Sequence, residues 1–266
     1  MSGSDPGEAQ KHAVSQDAVS RDAASQDTER ATRHAAERLA LARRVAVLTG
    51  AGVSAASGVP TFRGSSGLWR NRRAEDLATP QAYARDPELV WEWYAARLAL
   101  VRAAEPNAAH RALAALQSRT ELSLATQNVD DLHERAGSRG VLELHGNLGY
   151  SRCEVCGGLE RLEVGFALPP RCSRCGGRAR PNVVWFGEPL PPGVLGAAVD
   201  AFETCEVALV LGTSALVEPA ASLGRLAKRR GAFLIEVNPE PTPLSPWADL
   251  ALRLEAVPGM AALSCF

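Results

Sequence analysis

No apolar run in this 266-residue chain approaches the ~20 residues that a membrane-spanning helix needs, so the sequence predicts no transmembrane segment. Net charge is nearly absent as well, at −1, which removes the bulk electrostatic argument for a nucleic-acid or membrane surface. The polar, acid-bearing N-terminus has the pattern of neither a secretory signal nor a transit peptide, and a cytoplasmic location is the expectation. What remains is the composition of an ordinary globular protein, 46% hydrophobic and 22% charged, long enough for one large domain or a large and a small one. Residues 1–28 lack any apolar stripe. They carry a near-repeat of Ala-Val-Ser-Gln-Asp type and read as a disordered tail.

Beyond the tail, Thr28–Arg44 has a helical Ala/Leu/Arg pattern. Short apolar runs follow at Val45–Thr49, Leu122–Thr126, Val141–Leu144, Val183–Phe186, Val207–Leu211, Phe233–Val237 and Leu250–Leu254. Uniformly apolar runs of this length suit strands buried on both faces. Helical stretches such as Pro106–Ser118 and Pro219–Arg230 alternate with them, so the expected class is α/β, a Rossmann-like parallel sheet. Two stretches break the rhythm: a Gly/Ser/Arg loop with helices near 61–104, and a Cys/Gly/Pro-rich segment near 150–181. The expected division is a Rossmann-like NAD-binding domain from 29–60, 105–149 and 182–266, with a smaller zinc-ribbon and helical domain from 61–104 and 150–181.

After the first run comes Gly50-Ala51-Gly52-Val53-Ser54-Ala55, which fits the dinucleotide fingerprint G-x-G-x-x-G/A. Its glycines permit a tight turn and close approach of backbone to a pyrophosphate on a helix N-terminus. A ligand-free glycine turn has the same pattern. The acidic residue that usually holds the ribose ~20 residues on is absent, since that distance falls among Arg70, Arg72, Arg73 and Glu75. The four cysteines Cys153, Cys156, Cys172 and Cys175 form C-x2-C-x15-C-x2-C, the spacing of two knuckles around a tetrahedral Zn²⁺. Two disulfides are the alternative. A four-thiolate site has no open position, so the metal reads as structural. Cys205 and Cys265 have no partner by spacing.

The stretch Gly50 to Trp69, G-A-G-V-S-A-A-S-G-V-P-T-F-R-G-S-S-G-L-W, closely resembles the signature loop of the sirtuin family of NAD-dependent protein deacylases. The resemblance continues through Thr126-Gln127-Asn128-Val129-Asp130-Asp131-Leu132-His133, His145-Gly146, Phe186-Gly187-Glu188 and Gly212-Thr213-Ser214, and covers about 35–260. It implies NAD as a co-substrate, lying inverted relative to ordinary dehydrogenases, which accounts for the missing acid. It assigns cofactor contacts to Gly50, Ala51, Gly52, Ser54, Thr61, Phe62, Arg63, Trp69, Gln127, Asn128, Val129, Asp130, Gly212, Thr213 and Ser214. Asn238, Pro239, Glu240 and Ala256 follow at the adenosine end, although Pro239 and the lack of a glycine near Leu254-Glu255-Ala256 depart from the family pattern.

His145 matches the family's catalytic base, while from spacing alone a histidine at a strand end reads as structural. Asn128 and Asp130 match residues that hold the ribose and the nicotinamide carboxamide, and their side chains equally suit a capping role. The implied reaction is attack of an acyl-lysine oxygen on the ribose C1′ with loss of nicotinamide. His145 then activates a ribose hydroxyl, giving free lysine and O-acyl-ADP-ribose. Partners are acyl-lysine proteins or peptides, lying as an extended strand near Phe186, Gly187 and Glu188 on one side and the segment after Ser214 on the other. In Val90-Trp91-Glu92-Trp93-Tyr94-Ala95-Ala96-Arg97, Tyr94 and Arg97 share a helix face. They match the Tyr-x-x-Arg pair of the subgroup that removes succinyl and malonyl groups, as do Asp76–Pro80 and Val183–Glu188. An ordinary helix-surface Tyr and Arg is the plain alternative. The other functions kept open are mainly deacetylation, protein ADP-ribosyl transfer, and non-enzymatic NAD binding.

Overall fold

The computed structural model describes residues 28–61, 68–70 and 72–264. The expected tail, Phe62, Arg63 and Cys265 lie outside the described residues. The chain begins with a helix over 28–41, α1, and enters strand β1 (Arg44–Thr49). Two 3₁₀ turns follow, Ala51–Val53 and Ala55–Ser57. A short ribbon of β2 (Leu68–Trp69) and β3 (Arg72–Arg73) leads to α2 (Ala74–Leu77), α3 (Pro80–Arg85) and α4 (Pro87–Ala103). Then come α5 (Ala108–Gln117), β4 (Glu121–Thr126), α6 (Leu132–Arg135), β5 (Leu142–Glu143), β6 (Gly146–Cys153), β7 (Leu159–Arg161) and β8 (Ala179–Val183). The chain closes with α7 (Pro192–Thr204), β9 (Val207–Leu211), α8 (Ser222–Arg229), β10 (Phe233–Val237), β11 (Leu250–Leu252) and α9 (Ala256–Ser264).

Six strands form one sheet in the order β11-β10-β9-β1-β4-β5, and every pair in it is parallel. Counted in sequence, this is the doubly wound order in which the direction of travel reverses between β1 and β9. Loops leaving the carboxyl ends of β1 and β9 therefore face each other. Alternation along β1 explains its uniformly apolar sequence. Val45 and Val47 pack with α1, α5 and α9 residues such as Leu39, Leu113 and Met260, whereas Ala46 and Leu48 pack with Phe202 of α7 and Leu223 of α8. Both faces are covered, so every residue from Val45 to Thr49 is buried.

One expected strand is different. The run Val183–Phe186 is not part of the parallel sheet: β8 ends at Val183 and pairs antiparallel with β6 in a three-stranded sheet, order β7-β6-β8. Val183 and Trp185 are buried in a separate cluster that includes Trp91, Leu98 and Leu148, while Val184 packs on the cluster under the parallel sheet and Phe186 is exposed, and an apolar run cannot reveal which core it faces. The runs at 141–144 and 250–254 shorten to β5 and β11. Among the described residues, no helix is long and apolar enough to cross a membrane.

Helix α4 carries the second cluster. Asp86 caps it by accepting from Leu89 N–H at 3.0 Å, Pro87 starts it, and Val90, Trp91, Trp93, Tyr94, Leu98 and Val101 give it a wide buried sector. The Trp91 indole N–H and the Tyr83 hydroxyl both donate to Ala179 O, at 3.1 and 2.7 Å, fastening the helical segment to the small sheet.

Candidate active site

The fingerprint glycines sit where the β1 and β9 loops cross. Gly52 N–H donates to Gly212 O at 2.8 Å. A Cβ on Gly52 would stand 2.8 Å from that oxygen, and one on Gly50 2.7 Å from the Thr213 Cβ. Close approach of the chain's own backbone thus already demands glycine at both positions. Nor does the loop open onto a long helix: the two 3₁₀ turns span three residues each, too short for an appreciable macrodipole. Ala51, Thr61 and Ser214 are half-buried at the rim, and Trp69 packs on the second cluster with the Arg70 guanidinium 4.4 Å above its ring.

Below this loop lies a buried polar floor. Ser54 donates to Asp130 Oδ2 at 2.9 Å and accepts from Asn128 Nδ2 at 3.1 Å. The other Asp130 oxygen accepts from Leu132 N–H at 3.2 Å, just ahead of α6, whose N-cap position is Asp131. Burial raises the Asp130 carboxyl pKa, opposed by the Ser54 and Leu132 hydrogen bonds. Thr49 donates to Thr126 Oγ1 at 2.8 Å and lies 2.9 Å from His133 Nε2. His133 in turn meets the His110 ring edge-to-face at 4.8 Å. Burial pushes His110 down to about 4 and His133 down to about 3, keeping both neutral. Sequence reasoning gave these histidines no role. The cue for His110 was its place three residues after Asn107, where it completes a capping box.

His145 stands between β5 and β6. Its Nδ1 lies 2.8 Å from Gln127 O, and a carbonyl only accepts, so Nδ1 carries the proton and Nε2 keeps its lone pair. Burial lowers its pKa, partly countered by that carbonyl. The ring's neighbour Gly146 has φ +77°, and a Cβ there would be 2.3 Å from Asn182 O, so only glycine lets β6 turn away at this point. Gln127 also donates through Nε2 to Thr213 Oγ1 at 2.9 Å, and Val129 O accepts from Leu148 N–H at 2.8 Å. The structure therefore gathers Gly50, Gly52, Ser54, Gln127, Asn128, Asp130, Gly212 and Thr213 into one connected set. At the other end, Asn238 Nδ2 donates to Glu240 O at 2.7 Å, Pro239 and Glu240 are exposed, and Ala256 is buried at the start of α9.

Tyr94 and Arg97 lie on α4 as expected. Tyr94 is buried, and its hydroxyl accepts from the Trp185 indole N–H at 3.0 Å. Burial raises the Tyr94 phenol and lowers the Arg97 guanidinium from their ordinary values, and Asp130 favours the Arg97 charge. Phe186 is 46% exposed while its N–H donates to Ala78 O at 2.9 Å, and Gly187 turns the chain with φ +87°. Glu188 faces inward: its carboxylate receives both arms of Arg180 and the Trp185 backbone N–H. Leu216 and Val217, after Ser214, are exposed apolar side chains.

The cysteine quartet closes on itself. The four Sγ atoms lie within 4.8 Å of one another, with Cys153–Cys175 at 3.5 Å and Cys156–Cys172 at 3.6 Å. All four are free thiols, which removes the disulfide alternative. A tetrahedral zinc with ~2.3 Å bonds spaces its sulfurs about 3.8 Å apart, so the set fits that ion. Val155 and Cys156 N–H groups point at Cys153 Sγ at 3.4 and 3.5 Å.

Comparison with known proteins agrees with this geometry. Residues 50–219 match the model of the Sir2 family. The chain is 59% identical over 234 residues to an NAD-dependent protein deacylase of Thermus thermophilus, covering 86% of this chain and 92% of that one. It superposes with a TM-score of 0.82 on a solved Sir2 homolog–NAD complex, at 51% identity and with 86% and 91% of the two chains covered. A structure of Sir2 bound to acetylated peptide gives a TM-score of 0.76 at 32% identity, over 85% and 93%.

Proposed function

We propose the following for a chain that belongs to the Sir2 family: it is an NAD-dependent protein-lysine deacylase that prefers succinyl and malonyl groups over acetyl. The deacylase activity follows from the family. The acyl preference is our own reading, and the observation that carries it is the pairing of Tyr94 and Arg97 on one face of α4, with Tyr94 buried. A succinyl group ends in a carboxylate. Arg97 can receive it bidentately and Tyr94 adds a hydroxyl donor, whereas the methyl end of an acetyl group offers them no acceptor.

In this reading NAD is consumed as a co-substrate. Gly50, Ala51, Gly52, Ser54, Thr61, Gln127, Val129, Gly212, Thr213 and Ser214 line its path, with Asn238, Pro239, Glu240 and Ala256 at the adenosine end. Asn128 and Asp130 orient the nicotinamide ribose. His145 accepts a proton from a ribose hydroxyl at Nε2, the nitrogen left free by the Gln127 carbonyl. Cys153, Cys156, Cys172 and Cys175 hold zinc, which supplies a cross-link in the small domain rather than a reacting group. The acyl-lysine peptide lies between Phe186-Gly187 and the exposed Leu216 and Val217. We further infer that 29–60, 105–149 and 182–266 work as the dinucleotide side, with 61–104 and 150–181 opposite.

The test is a panel of acetyl-, malonyl-, succinyl- and glutaryl-lysine peptides with NAD, run on the wild type and on Tyr94→Phe with Arg97→Met. Charge-assisted hydrogen bonds predict about a tenfold to hundredfold loss on the succinyl peptide with little change on the acetyl peptide. Equal losses on both would remove carboxylate recognition.

A further inference from the structure

A tyrosine hydroxyl has one proton to give and lone pairs to receive. The Trp185 indole N–H is a donor only, so its 3.0 Å contact with the Tyr94 hydroxyl occupies a lone pair and directs the phenolic proton to some other acceptor. Arg97, one turn along α4, cannot be that acceptor, because a guanidinium has only donors. Burial raises the phenol pKa above its ordinary value.

The indole that sets this polarity is itself tightly held. Trp185 is 3% exposed. The Arg180 guanidinium carbon stands 3.6 Å from the centre of its ring, and the Tyr83 ring packs at 5.0 Å. Arg180 grips the Glu188 carboxylate with both arms, at 2.6 and 2.8 Å, and that carboxylate accepts the Trp185 backbone N–H at 2.9 Å. Backbone and ring are thus fixed from the same ion pair.

We propose that Trp185 is a positioning residue for acyl selection: by donating to Tyr94 it makes the Tyr94 hydroxyl a dedicated donor to the acyl carboxylate. Arg180 and Glu188 keep the indole in register. A carboxylate has the acceptors that the Tyr94 proton needs, and an acetyl methyl group has none. The inference rests on the reading of Tyr94 and Arg97 as the acyl-carboxylate pocket.

The test is steady-state kinetics with succinyl- and acetyl-lysine peptides on the wild type, Trp185→Phe, Tyr94→Phe and the double variant. Trp185→Phe keeps a ring beneath Arg180 and removes the N–H. It is expected to raise KM for the succinyl peptide about five- to tenfold, the scale of one hydrogen bond, with kcat within about twofold and acetyl kinetics unchanged. In the Tyr94→Phe background the same change is expected to have no further effect. If Trp185→Phe folds poorly, β-(3-benzothienyl)alanine at 185 keeps the ring shape and deletes only the N–H. Equal changes on both acyl groups, or an undiminished effect without the Tyr94 hydroxyl, would overturn the role of Trp185. If Tyr94→Phe itself leaves succinyl KM unchanged, the pocket reading fails and this inference fails with it. If Tyr94→Phe is selective and Trp185→Phe is not, only the Trp185 inference falls.

Discussion

On the sheet side of the site, backbone meets backbone: Gly52 N–H against Gly212 O, Gly50 N–H against Leu211 O, with glycines where any Cβ would collide. On the α4 side, side chain meets side chain: Trp185 on Tyr94 and Arg180 on Glu188. The two constructions have different consequences. A backbone lattice leaves little to vary, which suits the handling of a co-substrate that never changes. Contacts made by side chains can be altered one residue at a time without moving the chain, which suits the acyl recognition we propose for this side. Damage on the sheet side should therefore affect every acyl substrate alike, and damage in the pocket of α4 should separate them.

Three experiments press on that contrast. The largest effect is expected from His145→Ala. Removal of a general base costs about 10²–10⁴-fold in kcat, here equally for acetyl, malonyl and succinyl peptides. Retention of most of the NAD-dependent turnover, or a loss confined to one acyl group, would break the division of labour. Next is metal removal. Stripping the protein with a strong chelator should release one zinc per chain and lower the thermal midpoint by on the order of 10 °C, since a structural zinc contributes several kcal/mol and each kcal/mol is about 2–4 °C in a chain of this size. The parallel sheet should remain visible in far-ultraviolet circular dichroism. An unchanged midpoint after complete metal loss would mean that the small sheet stands on its packing alone.

The smallest effect concerns the floor. His110 and His133 are held neutral down to about 4 and about 3. Between the ordinary histidine value near 6.5 and those lowered values, the unfolded chain binds protons that the native one refuses, so stability falls as the pH drops through that window. Each such proton changes the slope by about 1.4 kcal/mol per pH unit. Urea midpoints at pH 7 and pH 4.5, at fixed zinc, should differ less in His133→Gln than in the wild type. Parallel curves for the two proteins would place the acid sensitivity elsewhere.

Motif spacing identified Cys153, Cys156, Cys172 and Cys175 because ligand geometry requires short, fixed separations along the chain. The Gly50–Ser54 loop was legible as a glycine fingerprint, whereas the roles of His145, Asn128 and Asp130 came through family resemblance. His110 and His133 were not legible as a pair. They lie on different helices, and their contact exists only because α5 and α6 pack together. Nor did the sequence indicate that Glu188 turns inward to Arg180, a partner supplied by β8.

By itself the sequence determined the α/β class, the parallel-sheet strands at Val45–Thr49, Leu122–Thr126, Val207–Leu211 and Phe233–Val237, and the cysteine quartet, because these depend on local periodicity and short spacings. Tertiary structure alone decided which sheet the Val183–Phe186 run joins, which His145 nitrogen is free, and which way the Tyr94 hydroxyl is polarised. Each of these depends on a partner far along the chain: Gly146 opposite Val183, the Gln127 carbonyl, and the Trp185 indole. A hydrogen bond has a direction, and only the folded chain brings together the donor and the acceptor that set it.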